Sequence, residues 1–329
     1  MMGNTTSAFG KFPPQLIGLA ALFVFPLVNP SDYVQHLVTI AMLYGVLASS
    51  WDLSMGYGGI FNFGHMALFA LGGYAAGVST VQFGLSPWLG IVAGAMAAVI
   101  GAVLVSLPVL RVKGIYVCLV TFAFGQLCHH LILGQSKYTG GSNGLVMIPP
   151  ITIGNYSFAS SDKLAYYYLA LALLVVSTYF LRRIVTSHFG LSIVALRDFE
   201  DLAISRGVGV ARQRLLTMAG SAVFTGATGA IYAYYLSSVS PELFGFSYLA
   251  TVLSMILLGG TATIYGPIVG AFFLTFISEF LVSLGPWRFV IIALLMIVTI
   301  WRFPDGLLSG LKILAARLVP APRTGQGAG

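Results

Sequence analysis

The stretch that decides the fold covers residues 182–214 and reads RRIVTSHFGLSIVALRDFEDLAISRGVGVARQR. It holds six of the sixteen Lys and Arg residues of a 329-residue chain in which only 8% of residues are charged. An apolar run of membrane-spanning length flanks it on each side. Because a bilayer core rejects charge, the stretch must lie outside the membrane, and its positive excess predicts the cytoplasmic face. Its mixed charge and helical character predict a structured docking surface for a soluble partner.

The composition places the whole chain in a membrane. Hydrophobic residues make up 58% of the sequence, and the mean hydropathy is +0.93, whereas soluble domains carry about 25% charged residues. The net charge of +7 does not indicate nucleic acid, because the basic residues cluster at the ends of apolar runs. Cys118 and Cys128 share one apolar run and form neither a disulfide framework nor a metal-type pair, so both are predicted to be small packing residues.

The apolar runs predict an all-α fold, a polytopic transmembrane helical bundle of about ten segments, with a range of eight to ten. A span needs about 20 apolar residues. The predicted segments cover residues 12–28, 33–55, 61–83, 88–110, 114–134, 164–181, 215–239, 248–264, 267–284 and 289–301. Gly259 and Gly260 are expected to break a helix, which leaves a re-entrant segment open as an alternative there. The first segment follows Lys11 and is interpreted as an uncleaved span, because no small-x-small cleavage site ends it.

The distribution of charge orients these segments. With a cytoplasmic N-terminus and strict alternation, thirteen of the sixteen Lys and Arg residues fall inside, and only Lys137, Lys163 and Arg288 fall outside. Both termini are therefore predicted to be cytoplasmic, with six spans before the 182–214 loop and four after it. The predicted transmembrane domain covers residues 1–303, with a periplasmic loop at 135–163. Residues 304–329 are expected to form a partly disordered cytoplasmic tail.

Glycine has two predicted roles. Many of the 39 glycines lie inside predicted spans, including Gly72, Gly220 and Gly226, and small residues permit close approach of helices in lipid. The periplasmic loop contains a Gly-rich motif that favours tight turns with positive φ. The motif consists of Thr139, Gly140, Gly141, Ser142, Asn143 and Gly144.

Few residues in the chain could carry chemistry. The sequence has no HExxH motif and no G-x4-G-K-[ST] loop, so no catalytic residue, metal site or cofactor is predicted, and any ATP hydrolysis must belong to another chain. Asp52 and Glu279 lie within apolar runs. A carboxylate at the centre of a span costs about 2.5–3.5 kcal/mol, so these acids either line a substrate path or hydrogen-bond to a neighbouring helix.

Asn62 and His65 lie in the glycine-rich stretch GYGGIFNFGHMALF, which begins at Gly56. Glycines before an apolar run can unwind the start of a helix and free backbone N–H groups for a carboxylate such as that of an amino acid. The alternative is a helix start whose histidine is satisfied within the bundle. His129 and His130 at a span end are interpreted as interfacial, because no third metal ligand lies within reach by sequence.

Several blocks, taken in order, resemble a known family. They are GYGG, GHMALF and GGY within residues 56–74, RVKGIY and TFAFG within 111–125, TGGSNGL at 139–145, the segment 190–207, and SPE, LGG and YGPIVGA within 240–271. Each block alone is weak, but the ordered set covers residues 44–271. It resembles the membrane subunits of bacterial ABC importers for branched-chain amino acids, in particular the M-type permease.

The resemblance implies an inner-membrane machine with several partners: a second related permease, two cytoplasmic ATPase subunits and a periplasmic substrate-binding protein, all in contact with membrane lipid and none with nucleic acid. The 182–214 loop then looks like the coupling loop that docks to an ATPase. Asp201-Leu202-Ala203-x3-Gly207 is similar to a Glu-Ala-Ala-x3-Gly signature, with Gly207 ending the short helix. Arg197, Asp198, Glu200 and Arg206 are expected to contact the partner.

The sequence is compatible with several substrates and with more than one class of transporter. The same family serves urea, short amides and aromatic acids, and no residue selects among these and branched-chain amino acids. A secondary transporter or channel would need no ATPase and would tend to carry more ionisable residues within its spans. A membrane-embedded enzyme is a third class, and the absence of a catalytic motif argues against it.

Overall fold

A computed structural model describes residues 14–28, 31–153, 156–158, 164–285, 287–302 and 306–307. In this part of the chain nearly every residue belongs to a helix or a short connection. The helices are α1 Pro14–Val28, α2 Asp32–Asp52, α3 His65–Val81, α4 Pro87–Val109, α5 Ile115–Gly134, α6 Ser136–Thr139, α7 Leu164–Thr186, α8 His188–Asp198, α9 Glu200–Ser205, α10 Val210–Leu236, α11 Phe246–Gly259, α12 Gly266–Phe280 and α13 Trp287–Arg302. A π-helical turn, Leu53–Tyr57, extends α2.

Each of the ten predicted segments coincides with one of these helices. Within the described residues, five helices are long and apolar enough to cross a membrane: Asp32–Tyr57, Pro87–Val109, Ile115–Gly134, Leu164–Thr186 and Val210–Leu236. The five remaining predicted segments correspond to shorter apolar helices of 10–17 residues. The predicted break at Gly259 and Gly260 is confirmed, because α11 ends at Gly259 and Gly260 has a φ of 107°. The eighth segment, predicted to extend to residue 264, is therefore shorter than expected. The chain therefore has the all-α, apolar architecture of a membrane bundle.

The surface of the bundle is apolar where a soluble protein would be charged. α4 shows this well: Ser86 caps its first turn, Pro87 occupies the first helical position, and its interior is almost free of polar side chains. Val92, Met96, Ile100 and Leu104 are spaced by four residues and are each more than half exposed. A continuous apolar stripe of this length suits a lipid-facing helix.

Glycine allows the central helices to pack closely. α3, α4 and α10 form the tightest group of the bundle. Gly72 of α3 lies against the backbone of Gly226 in α10, and Gly94 of α4 lies against the carbonyl of Gly72. The predicted role of glycine is confirmed at these positions. It is wrong for Gly220, where an added β-carbon would meet nothing within 4 Å, because this residue lies on the outer side of α10.

The connections gather at two ends of the bundle. At one end, the π-helical turn, the α4–α5 loop, α8, α9 and the α11–α12 turn contact one another. At the other end, strand β1 (Leu145–Val146) pairs antiparallel with β4 (Ser238–Val239), and β2 (Thr152–Ile153) pairs with β3 (Tyr156–Ser157). These two-residue strands are a small departure from the all-α prediction. The predicted tail at 304–329 lies outside the described residues except for 306–307.

Candidate functional site

The predicted loop 182–214 is shorter in the structure, because residues 182–186 belong to α7 and residues 210–214 belong to α10. Its middle folds as the two short helices α8 and α9. Ser187 starts α8, because its hydroxyl accepts a hydrogen bond of 3.3 Å from the Gly190 amide. α9 ends as predicted at Gly207, which has a φ of 84°. The amides of Gly207 and Val208 donate to the carbonyls of Ile204 and Ala203 at 2.9 and 3.1 Å, which together form a Schellman motif. We call residues 188–207 the coupling segment.

One side of the coupling segment faces the helix bundle. Glu200 lies between two cations, with its carboxylate 3.3 Å from Arg214 of α10 and 3.6 Å from Lys113 of the α4–α5 loop. Ala203 is buried. Arg197 donates from Nη1 to the carbonyl oxygen of Gly56 at 2.5 Å. Two residues expected to contact a partner, Arg197 and Glu200, are therefore directed at this chain's own helix bundle, as is Ala203 of the predicted signature.

The opposite side of the coupling segment is open and largely apolar. Asp201 and Arg206 are exposed, as expected of residues that contact a partner. Phe199 and Leu202 are 69% and 57% exposed, and sequence reasoning missed both. The sequence contained a feature that could have identified them, because a phenylalanine and a leucine lie among charged residues in a segment predicted to lie outside the membrane. Exposed apolar residues in a structured loop indicate a protein contact.

Asp198 is the last residue of α8 and pairs with its neighbour Arg197. Its carboxylate accepts hydrogen bonds from Nε and Nη2 of Arg197 at 2.7 and 3.3 Å. The guanidinium holds the pKa of the Asp198 carboxyl below its usual value. The Asp198 carboxyl therefore remains ionised at neutral pH, and its two hydrogen bonds keep the Arg197 side chain oriented.

Two adjoining cavities separate the coupling segment from the bundle. The smaller, of about 200 Å³, is lined by Gly58, Gly59, Arg197, Gln213 and Thr217 among others. The larger, of about 400 Å³, lies against Lys113 and the start of α5. Both cavities reach Glu200 and Arg214. The coupling segment thus packs on the bundle through the buried side chains of Ile193, Leu196 and Ala203 as well as through polar contacts, with the two cavities beside this packing.

A buried polar cluster lies further into the bundle, near the start of α3. His65 accepts from or donates to the Thr225 hydroxyl across 2.7 Å, and that hydroxyl lies 2.9 Å from the hydroxyl of Ser50. The ring of His65 stacks on Trp51 with the ring centres 5.4 Å apart. Asn62 uses its Oδ1 to accept a hydrogen bond from the Gly64 amide at 3.0 Å. The structure therefore brings Asn62 and His65 to the same region.

Several atoms of this cluster lack a partner. Among the described residues, Nε1 of Trp51, Nδ2 of Asn62 and Nδ1 of His65 are buried without a hydrogen bond. All three residues are fully buried. Buried polar groups are nearly always paired, with protein or with ordered water. The unpaired nitrogens of Trp51 and His65 belong to two stacked rings, so these two side chains have hydrogen-bonding capacity that the protein does not use.

The two predicted intramembrane acids lie at helix ends instead of helix centres. Asp52 is the last residue of α2 and is 1% exposed. Its Oδ1 accepts a hydrogen bond of 3.0 Å from the Ala262 amide in the α11–α12 turn. Glu279 lies in the last turn of α12 and accepts a hydrogen bond from the hydroxyl of Tyr33, at the start of α2. Asp52 and Glu279 therefore lie at opposite ends of α2, and the structure does not bring them together.

The glycine-rich motif at 139–144 forms the turn predicted for it. Gly140, Gly141 and Gly144 have φ values of 76°, 59° and 73°. The Thr139 hydroxyl donates to the Ile132 carbonyl at 2.6 Å and accepts from the Gly141 amide at 3.3 Å. Gly144 lies directly against the carbonyl of Val239. The motif thus fixes the loop after α5 against the start of the strand pair, at the end remote from the coupling segment.

Comparisons with known proteins agree with this architecture. Residues 33–300 match the family described as the permease component of the branched-chain amino acid transport system. The high-affinity branched-chain amino acid transport system permease protein LivM of Escherichia coli is 30% identical over 325 residues, which cover 91% of this chain and 76% of that protein. LivM of Salmonella typhimurium is 28% identical over 324 residues, with the same coverage of both chains. No solved structure matches the chain.

Proposed function

Because this chain belongs to the family of branched-chain amino acid transport system permease components, we propose that it is the membrane permease subunit of an ATP-driven importer. Its cargo is a branched-chain or related amino acid, carried across the bacterial inner membrane. The observation that carries the proposal is the coupling segment, a structured and partly apolar surface outside the long helices of a family member. The chain binds and switches between states, and it performs no chemistry of its own.

The docking of two cytoplasmic ATPase subunits is assigned to the open side of the coupling segment. Phe199 and Leu202 provide the apolar anchor, and Asp201 and Arg206 provide the charged rim. Interfaces commonly have this arrangement, with a desolvated apolar centre surrounded by polar residues. The sequence has no P-loop for ATP, so hydrolysis belongs to the partners.

The remaining partners follow from the family. A second, related permease completes the translocation path, and a periplasmic substrate-binding protein delivers cargo at the end that carries the 139–144 motif. The positive charge of the coupling segment supports a cytoplasmic position for it. The loops of residues 56–59, 113 and 262 contact or adjoin it at the same end of the bundle, which fits an alternation that places both termini in the cytoplasm.

The translocation path is assigned to the buried polar cluster around Asn62 and His65. In the present conformation these side chains are closed off from solvent. Their unpaired nitrogen atoms would gain partners when water or the polar end of an amino acid reaches them, so an open state is favoured by satisfying them. Asp52 and Glu279 lie toward the two ends of this proposed path.

Branched-chain amino acids are preferred over urea, short amides and aromatic acids as cargo. The support is that both relatives are permease proteins of high-affinity branched-chain amino acid transport systems. A secondary transporter or channel is the candidate from another class, but the family and the docking surface both favour an ATP-driven machine.

Reconstitution tests this proposal directly. The permease, its sister permease, the ATPases and the binding protein are placed in proteoliposomes, and uptake of labelled leucine is measured with and without ATP, with urea and benzoate as competitors. We expect ATP-dependent uptake that Leu202→Ser reduces together with the amount of ATPase bound. Ser205→Ala, in the same exposed helix, serves as the control. Uptake that ignores nucleotide would reject the importer assignment.

A further inference from the structure

The Arg197 side chain connects the coupling segment to the membrane helices. Its guanidinium donates to the carbonyl oxygen of Gly56 at 2.5 Å, across 141 positions of sequence, and is oriented by Asp198. Its aliphatic stem packs against Gly59, where an added β-carbon would lie 2.7 Å from Cγ of Arg197. Arg197 thus faces the bundle, whereas Phe199 and Leu202 on the other side are free for a partner.

Asp52 makes the next contact in the same direction. Its Oδ1 accepts from the Ala262 amide at 3.0 Å, so the carboxylate holds the turn between α11 and α12. Ala262 has a φ of 54°, an uncommon conformation for a residue with a β-carbon. Backbone strain of this kind persists only where surrounding contacts hold it. Oδ2 of Asp52 is buried and has no hydrogen-bond partner among the described residues.

Both contacts meet at Gly56, in the π-helical turn Leu53–Tyr57. The carbonyl of Gly56 receives Arg197, and a β-carbon on Gly56 would overlap both Oδ1 of Asp52 and the amide of Ala262. Three segments that are distant in sequence therefore touch at one residue. π-Helical turns are rare and are often found at functional positions.

We propose that Arg197 and Asp52 form a coupling latch, which passes movement of the coupling segment to the end of α2 and to the α11–α12 turn. This inference rests on the importer proposed above and identifies the positioning residues of its transmission. When the ATPases displace α8, Arg197 draws the Gly56 carbonyl and the π-helical turn with it. The α11–α12 turn then moves in the same direction, because its Ala262 amide is hydrogen-bonded to Asp52. The free Oδ2 of Asp52 is the acceptor that the guanidinium reaches in the second arrangement.

The alternative is that Arg197 and Asp52 only stabilise the fold. Two substitutions distinguish these roles. Arg197→Met keeps the stem that packs on Gly59 and removes the donors. Asp52→Asn keeps an oxygen for the Ala262 amide and removes the charge. Arg212→Met is the matched control, because Arg212 is an exposed cation in the first turn of α10, outside the coupling segment and its docking surface.

The first test measures leucine uptake and ATP hydrolysis in the reconstituted complex. We expect Arg197→Met and Asp52→Asn each to lower uptake per ATP hydrolysed by about tenfold or more, with the ATPases still bound. The double variant should be no worse than either single variant, because the two residues act in one chain of contacts. Wild-type uptake per ATP in both variants, or loss of uptake in proportion to lost ATPase, would overturn the latch.

The second test needs no transport. Amide hydrogen exchange is followed in the purified full-length permease in detergent, at residues 260–265. Arg197→Met should accelerate exchange there about tenfold, and Arg212→Met should leave it unchanged. Unchanged exchange in Arg197→Met would refute the latch even if the protein proves to be an importer. Conversely, wild-type uptake that is independent of nucleotide would refute the importer, while the exchange result would still decide whether the two segments are coupled.

Discussion

Gly72 of α3 and Gly226 of α10 approach so closely that a β-carbon on Gly72 would overlap the carbonyl oxygen of Gly226. In a bilayer no hydrophobic force drives helices together, so the stability of the bundle depends on such close backbone packing. The two residues lie in the group of helices that carries the buried polar cluster. Their separation therefore also determines whether His65 of α3 can reach Thr225 of α10.

Replacing Gly226 by alanine should destabilise the bundle. The new methyl group would meet the side chain of Ala98 and the backbones of Gly94 and Ala95, and overpacking of this kind costs about 1–3 kcal/mol. Gly220→Ala is the matched control in the same helix, because its methyl group would meet open space and should be neutral or stabilise by up to about 1 kcal/mol. Thermal unfolding in detergent measures the difference, and equal stability of the two variants would contradict the packing argument.

Thr225 should contribute more to stability than a buried threonine that bonds only within its own helix. Thr225→Val removes the partner of both His65 and Ser50, and each interhelical hydrogen bond in a membrane contributes about 0.6–1.7 kcal/mol. We therefore expect a loss of about 1–3 kcal/mol in the free energy of unfolding. Thr228→Val is the control, because its hydroxyl donates to the Phe224 carbonyl of the same helix. Thr225→Ser should restore stability, and a Thr225→Val protein as stable as Thr228→Val would refute the role.

The elements of this fold could be predicted because each depends on local sequence. Apolar length determines the long helices, and the glycine pair at 259–260 ends α11 where the sequence places a break. The end of α9 at Gly207 is equally local, because only residues 203–208 take part in its hydrogen bonds. Close packing could be predicted only as a tendency, since Gly220 and Gly226 look alike in sequence but face different surroundings.

The directions of the site residues could not be predicted, because they depend on contacts between distant segments. Arg197 looked like a partner contact until the Gly56 carbonyl, 141 residues away, was found to receive it. Asp52 was predicted to lie within the apolar run 33–55, where it either lines a path or hydrogen-bonds to a neighbouring helix, but the sequence did not indicate that its partner is the Ala262 amide. The roles expected for these residues in docking and in the path stay predictions.

Gly207 should be needed for its backbone conformation and not for space. Its φ of 84° is unfavourable for residues with a β-carbon, and no atom lies within 4 Å of the position a β-carbon would take. Gly207→Ala should therefore cost about 1–2 kcal/mol, and Gly207→Asn should cost less. Gly209→Ala is the control, since Gly209 has a φ of −78°. ATP-dependent leucine uptake, normalised to the amount of permease in the membrane, measures the effect, and wild-type uptake in both alanine variants would refute it.

Glu200 should hold α9 on the bundle through charge. Its carboxylate faces Lys113 and Arg214 at 3.6 and 3.3 Å, and each partly exposed ion pair contributes about 0.2–1 kcal/mol. Glu200→Gln loses both pairs, so the coupling segment should open about 2- to 30-fold more often. Trypsin cleavage after Arg206 in inside-out vesicles measures this opening, provided that cleavage is slow compared with closing.

The control and the salt dependence complete that test. Asp201→Asn changes the neighbouring, exposed carboxylate and should leave the cleavage rate unchanged. In 1 M salt, where the Debye length is about 3 Å, wild-type cleavage should rise toward that of Glu200→Gln. Equal cleavage rates of the wild type and Glu200→Gln at low salt would show that Glu200 does not hold α9 on the bundle. Cleavage after Arg206 only in right-side-out vesicles would contradict the importer assignment itself, because the coupling segment would then face away from the cytoplasm and from any ATPase.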